Sequence, residues 1–313
     1  MRIGIDIMGG DYSPEKTIQG AILAQQELSS NDKIYLFGEK NIILELLELN
    51  NSHEKYFNII DCKDVIQMGD HPIKSLKQKP KSSISIGFQF LSNGEIDGFA
   101  SAGNTGALFV GGLYSVKSIS GIIRPCLSSV LPKENGGEGI LLDVGANADC
   151  KADVLYQFGI LGSLLSKHVY GLKNPKVGLL NLGEEKTKGS LLTQATYEAM
   201  DGNHDYNFIG NIEGRDIFEE TSDVIVCDGF TGNIVLKQAE AFYRIIKRRN
   251  LDNDKYFKRF NYENYGGTPI LGLNKTVVIG HGISNEIAIK NMILLTKDII
   301  NAKLSEKIKE TLN

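Results

Sequence analysis

Residues 2–21 read RIGIDIMGGDYSPEKTIQGA. Arg2–Ile7 is an apolar run broken by one acid, the pattern of a short strand buried on both faces. Met8-Gly9-Gly10-Asp11 follows directly, a glycine turn at the strand's carboxyl end. Ser13-Pro14-Glu15 then opens a helix. Ser13 is the expected N-cap, Pro14 has its φ preset for the first turn, and Glu15 meets the positive end of the helix dipole. The helix is expected over Pro14–Leu28. A strand, a glycine turn and a helix in that order form the unit of an open α/β sheet.

The same alternation runs through the chain. Further strands are expected at Lys33–Phe37, Phe57–Cys62, Gly98–Ser101, Cys126–Leu131, Gly139–Val144, Lys176–Leu182, Tyr206–Ile212, Asp223–Cys227 and Thr276–Ile279. Helical periodicity marks Lys40–Asn50, Thr105–Val116, Asp153–Val169, Leu191–Met200, Gly232–Arg249 and Asn285–Asn301. Such a sequence builds a mostly parallel sheet with helices on both faces. No repeat or linker interrupts it, so a single domain over residues 1–313 is expected.

Composition narrows the function. The chain has 313 residues, is 42% hydrophobic and carries a net charge of −4. No stretch reaches the ~18 apolar residues of a membrane span. Asp6 and Asp11 interrupt any apolar signal core, so the chain is expected to be cytoplasmic. Cys62, Cys126, Cys150 and Cys227 lie at no metal-ligand spacing, so no metal is expected. The charge is uneven. Between Lys237 and Arg259 there are 8 basic residues against 3 acids, so this segment is +5 and the rest of the chain is −9. The bland reading of that segment is a solvated helix face. The sharper one is a docking surface for something acidic. An acidic body argues against nucleic acid. Within the segment, Val235, Ala239, Phe242 and Ile246 form an apolar stripe.

Glycine supplies 34 of 313 residues, about 11% against a usual ~7%. It collects in six turns at strand ends: Gly9-Gly10, Gly103 to Gly106, Gly145, Gly183, Gly229 to Gly232, and Gly280 to Gly282. That edge of an α/β sheet is where ligands bind. Backbone N–H groups at the following helix N-termini suit an anion. The chain has neither GxGxxG nor GxxxxGK[ST], so neither a nicotinamide dinucleotide nor a P-loop nucleotide is supported.

Taken as a set, the turns resemble the phosphate acyltransferase (PlsX) family. The stretches that carry the resemblance, besides residues 2–21, are KPKSSISIG (79–87), SAGNTGAL (101–108), RPCLSSVLP (124–132), LLDVGANADC (141–150), GLLNLGEEKTKG (178–189), NFIGNIEGRDI (207–217), DVIVCDGFTGNIVLK (223–237), NYGGTPILG (264–272) and VVIGHGISN (277–285). They follow in family order over nearly the whole chain. The resemblance implies a three-layer α/β/α sandwich with a long, mostly parallel sheet, like phosphate acetyltransferases and isopropylmalate dehydrogenases, and usually a homodimer. It implies attack of inorganic phosphate on an acyl-acyl-carrier-protein thioester, with no cofactor; the alternatives are a short-chain phosphate acyltransferase using acyl-CoA and a noncatalytic scaffold that binds the carrier protein. The acyl phosphate would feed a membrane glycerol-3-phosphate acyltransferase in phospholipid synthesis, which allows a peripheral position at the inner face of the membrane. Two departures stand out. The helical excursion over residues 237–265 is shorter and more charged than in relatives. The family's acids near Met68–Ile73 give way to Asp70-His71-Pro72, so His71 takes no family role.

This chemistry needs donors for an anion and for the developing oxyanion. Asn104, Thr105, Asn233 and His281 are the catalytic candidates; His281 reads equally as a donor to the leaving thiolate or to phosphate and as a structural hydrogen-bond partner. Gly9, Gly10, Ser101, Gly103, Gly106, Asn147, Lys188, Gly229, Thr231 and Gly232 are the candidates for holding phosphate and substrate. Lys79 and Arg215 are further sources of positive charge, each equally readable as an ion-pair partner. The cysteines read as buried small hydrophobes. Arg244, Lys247, Arg248 and Arg249 are the candidates for docking the acidic carrier protein, with an anionic membrane surface as the competing partner.

Overall fold

The computed structural model describes residues 1–312. The strands are β1 (Arg2–Asp6), β2 (Lys33–Gly38), β3 (Phe57–Asp61), β4 (Gly98–Ser101), β5 (Cys126–Pro132), β6 (Glu138–Leu142), β7 (Lys176–Leu180), β8 (Asn207–Ile212), β9 (Val224–Val226), β10 (Thr268–Leu271) and β11 (Thr276–Ile279). The helices are α1 (Glu15–Glu27), α2 (Lys40–Leu49), α3 (Pro72–Gln78), α4 (Ser83–Ser92), α5 (Thr105–Ser115), α6 (Ala152–His168), α7 (Leu191–Met200), α8 (Gly229–Arg248), α9 (Lys255–Lys258), α10 (Glu286–Asn301) and α11 (Leu304–Leu312). All ten expected strands and seven expected helices form, most with ends shifted by a residue or two. Strand β10 and helices α3, α4, α9 and α11 were not expected from the sequence. The chain divides into two units, residues 1–118 with 262–305 and residues 119–261 with 306–313.

In the first unit the strands run β3-β2-β1-β4-β11-β10. All neighbours are parallel except β10, which is antiparallel to β11. The chain steps outward from β1 to β2 and β3, then returns to the other side of β1 as β4. Strand order therefore reverses between β1 and β4, and a crevice opens beyond their carboxyl ends. Side chains show the layering. A Cβ on Gly98 would meet Thr296 and Ile300 of α10, whereas Phe99 lies against Gly87 of α4. Successive strand residues point to opposite faces, so α10 and α4 cover opposite sides. Phe37, Phe88 and Phe99 are buried in this core, with edge-on ring contacts of 5.7 Å (Phe37–Phe99) and 5.4 Å (Phe88–Phe99). Each such ring contributes about 1.5–3 kcal/mol by leaving water.

In the second unit the order is β5-β6-β9-β7-β8. β5 and β6 are antiparallel, and the rest pair in parallel. Strand β9, late in sequence, inserts between β6 and β7. Helix α6 packs on it closely enough that a Cβ on Gly162 would strike Val224 and Leu142. Lys133 is buried and ion-paired with Asp223. Arg259, just after α9, donates to the carbonyls of Lys133 (2.8 Å) and Gly137 (2.6 Å). One cation of the basic segment is thus a structural clamp.

One local expectation is corrected. Ser13 does not cap α1: Pro14 occupies the N-cap position, and no side chain caps the helix. The Ser13 hydroxyl instead donates to the carbonyls of Met8 (3.0 Å) and Gly10 (2.8 Å) and ties down the glycine turn. In α8 Gly232 and Ala239 are buried and Val235, Leu236, Tyr243 and Ile246 are half-buried, so of the expected stripe only Phe242 is exposed. Ile234 and Ile245 lie on the opposite, exposed side of the helix, and Phe242 lies exposed at the edge of the covered face. No helix of the described residues is long and apolar enough to cross a membrane.

Candidate active site

The six glycine turns divide three and three between the units, and a buried carboxylate organises all three in the first unit and two of the three in the second. In the first unit this is Asp6, at the end of β1 and 1% exposed. It accepts from the Ser101 hydroxyl (2.7 Å) and the Met8 N–H (3.0 Å). Ser101 Oγ in turn accepts from the Gly103 N–H (2.9 Å). Burial raises the Asp6 pKa, against hydrogen bonds from Ser83, Ser101, Met8 and Gly9 that pull it down. A side chain at Gly9 would place its Cβ 2.4 Å from Asp6 Oδ2 and 2.7 Å from the Gly103 nitrogen, so only glycine lets these two turns touch. The third turn joins them through Asp11 N–H to the Gly282 carbonyl (2.7 Å) and Gly280 N–H to the Ser101 carbonyl (2.8 Å). His281 is half-buried, with its ring 4.8 Å from that of Tyr262.

Asn104 is spent inside the protein. Its Oδ1 caps α5 by accepting from the Ala107 N–H (2.9 Å). Its Nδ2 faces the carbonyls of Gln67 (3.1 Å), Met68 (3.0 Å) and Asp70 (3.0 Å), which binds loop 67–70 to the helix terminus. Lys79 supports the same loop, pairing with Asp70 and donating to the Val65 carbonyl (2.8 Å). Among the described residues, the N–H groups of Thr105 and Gly106 have no hydrogen-bond partner, and the Thr105 side chain is exposed. The amino end of α5 is therefore an open, positively polarised donor pair.

In the second unit the organising acid is Asp143, fully buried at the end of β6. It accepts from the backbone N–H groups of Leu127 (3.0 Å), Ala146 (3.2 Å) and Asn147 (2.6 Å) and from Asn147 Nδ2 (2.9 Å). Asn147 Nδ2 also donates to the Pro125 carbonyl (2.9 Å). Gly229 N–H reaches the Asn147 carbonyl (2.8 Å), and a Cβ on Gly232 would lie 1.9 Å from the Asp143 carbonyl oxygen. Asp228 caps α8, accepting from the Thr231 N–H (2.8 Å) and hydroxyl (3.0 Å). The α8 terminus thus already holds an anion of its own, unlike α5. Asn233 is exposed, and its amide has no hydrogen-bond partner among the described residues.

Arg215 is engaged by Glu184, Glu213 and Asp216, three acids close enough together to suit a cation. Lys188 is exposed, and its ammonium has no ion-pair partner among the described residues. The thiols are poor nucleophiles. Burial raises Cys62 to about 12 and Cys150 to about 11, and drives Cys126 and Cys227 well above the usual thiol range. All four therefore stay protonated near neutral pH. Arg244, Lys247, Arg248 and Arg249 are exposed on α8 and beyond it, and none is ion-paired among the described residues.

Sequence reading located the turns but missed their organisers. Asp6 lay inside an expected strand. Asp143 lies near the end of one, and nothing in its position tells that a whole loop folds onto its carboxylate.

Residues 1–307 match the family model described as "Fatty acid synthesis protein". The phosphate acyltransferase of Halothermothrix orenii is 40% identical, with 100% of this chain and 99% of that protein aligned. That of Dictyoglomus turgidum is 38% identical over 100% of this chain and 98% of the relative. Among solved structures, a phosphotransacetylase from Streptococcus pyogenes superposes with a TM-score of 0.68 at 19% identity, covering 96% of this chain and 94% of that one. A branched-chain phosphotransacylase from Enterococcus faecalis gives 0.65 at 13% identity, covering 96% and 99%. These structures share the fold of the chain, a mostly parallel α/β architecture. With a family model matching almost its full length and relatives near 40% identity, the chain belongs to the phosphate acyltransferase family and is an acyltransferase.

Proposed function

We propose that the enzyme moves an acyl group from the thioester of acyl carrier protein to inorganic phosphate. A phosphate oxygen forms the new bond to the thioester carbonyl carbon, the carbon–sulfur bond breaks, and the carrier's thiolate leaves and takes up a proton. The products are acyl phosphate and free carrier protein. Beyond family membership, the observation that carries this reading is the open amino end of α5, where Thr105 and Gly106 N–H groups and the Thr105 hydroxyl face no competing carboxylate. Phosphate at neutral pH is already a nucleophilic anion, so the site's task is to hold it and neutralise charge in the tetrahedral intermediate. One well-placed oxyanion donor is worth about 3–4 kcal/mol. On this reading Asn104 is a positioning residue, His281 supplies the proton to the leaving thiolate, and Lys188 and Asn233 are the accessible polar side chains of the second unit.

The exposed cations Arg244, Lys247, Arg248 and Arg249 suit a strongly acidic carrier, and the exposed apolar side chains Ile234, Phe242 and Ile245 suit a second copy of the chain. Acyl phosphate is a reactive acyl donor, and its consumption by a glycerol-3-phosphate acyltransferase at the membrane's inner face would place this chain in phospholipid synthesis.

The test incubates the full chain with palmitoyl-acyl carrier protein and phosphate and traps the product with hydroxylamine. Phosphate-dependent acyl hydroxamate is expected, and acetyl-CoA should be the poorer donor. No product from any acyl-carrier-protein thioester would overturn the reading. Charge reversal at Arg248 and Arg249 should weaken carrier binding most at low salt, and unchanged affinity would remove them from the docking surface.

A further inference from the structure

The second unit holds a cavity of about 300 Å³ at the carboxyl ends of β7 and β9. Its floor is made by Leu155, Leu179 and Cys227, each 3% exposed or less. The polar groups around it are turned on one another. The Asp228 carboxylate is taken up by Thr231, as described above. Asn181 donates to the Lys188 carbonyl (3.1 Å) and accepts from the Leu182 N–H (2.9 Å). Ser190 Oγ accepts from the Thr193 N–H (3.2 Å), and the Thr193 hydroxyl donates to the Ser190 carbonyl (3.0 Å). What such walls offer a ligand is mainly removal of apolar surface from water.

The lining stays apolar toward the mouth. Leu180 continues the wall, and Leu182, also on the lining, is 70% exposed, so the apolar surface of the floor runs out to solvent. The volume is at the small end for ligand pockets, roughly 300–1,000 Å³, which suits one aliphatic chain better than a nucleotide-bearing carrier.

We propose that this cavity receives the acyl chain of the thioester substrate and so sets chain-length preference. The proposal rests on the acyl transfer proposed above. Each methylene that leaves water is worth roughly fourfold in affinity, so catalytic efficiency should climb with chain length until the cavity is full.

The test measures kcat/KM of the full chain with butyryl-, decanoyl- and palmitoyl-acyl carrier protein. Thr193→Trp fills the cavity from α7, and Leu182→Asp places a charge at its mouth on an exposed residue that the fold does not depend on. Both variants should lower activity on palmitoyl thioester by roughly tenfold or more while changing butyryl thioester by less than about twofold. An unchanged chain-length profile, or an equal fall at every length, would overturn the assignment. Loss of folding in Thr193→Trp leaves the decision to Leu182→Asp. If the parent protein cleaves no acyl thioester, acyl transfer itself fails, and binding of cis-parinaric acid decides the cavity separately. Binding that both variants abolish would sustain the cavity as an aliphatic site. No binding by the parent, or equal binding by all three proteins, would overturn it.

Discussion

Asn104 offers the sharpest test of how the first unit holds its loops. Replacement by alanine removes the cap on α5 and every bond from Nδ2 to loop 67–70. Two amide hydrogens serve three carbonyls, so they count as two bonds rather than three. The cap is worth about 1 kcal/mol, and two buried bonds to carbonyls add about 1 kcal/mol each. The residue is 5% exposed, so water restores little. The sum, about 3 kcal/mol, lowers the melting temperature by roughly 6–12 °C for a body of this size. Asn104→Ser keeps a capping oxygen but loses the loop, so about 2 kcal/mol and roughly 4–8 °C are expected. Asn104→Asp keeps the cap but sets an anion against three carbonyl oxygens, and should melt at least as low as the serine variant. Thermal melts followed by circular dichroism, with phosphate-dependent thioester cleavage measured on the same samples, give both readouts. A melt within about 2 °C of the parent for Asn104→Ala would refute the stabilising role assigned to these bonds. A normal melt with lost turnover would show that the amide touches substrate instead of positioning the loop.

Gly232→Ala places a Cβ 1.9 Å from the Asp143 carbonyl oxygen, whereas Gly214→Ala meets nothing within 4 Å. The first should abolish soluble expression or activity and the second should be silent, as solubility and melting assays will read. At Asp97 burial raises the carboxyl pKa, but hydrogen bonds from the Arg2 side chain and backbone outweigh it and hold the group below its usual range. The stability this adds is present above about pH 4, the unfolded value, and is lost as pH falls through the lower folded value. Asp97→Asn should therefore be less stable than the parent at neutral pH, and urea melts of the two should converge toward about pH 2.

Much of this architecture is legible in the sequence because buried parallel strands read as uncharged runs and glycine marks the turns between them. Helix α4 escaped for a specific reason. Its first residues, Ser83-Ile84-Ser85-Ile86, alternate with the period of a strand. What makes it a helix is the spacing of buried Ile84, Gly87, Phe88 and Leu91, together with the Ser82 hydroxyl accepting from the Ser85 N–H. Strand β10 carries Pro269 and directly follows Gly266-Gly267, signals that read as a turn and not as a strand. At the site, residue type revealed which side chains can donate but not what they donate to. Asn104, Asn147 and Asn233 look alike in sequence. The first two are consumed by the fold, and only the third faces solvent with its amide open.

Asp143 has a consequence for anyone altering this enzyme. A carboxylate that gathers backbone N–H groups is indifferent to the side chains those residues carry. The path of the loop at Ala146 is thus decoupled from its chemistry, whereas Gly145, at positive φ, and Asn147, whose Nδ2 also reaches Asp143, are tied to their residue types. Ala146 is held through its N–H alone, and the neighbouring Ala148 is exposed. Both are natural places to introduce a reporter group or a new polar contact, because the internal acid will keep the backbone where it is while the surface chemistry is rewritten.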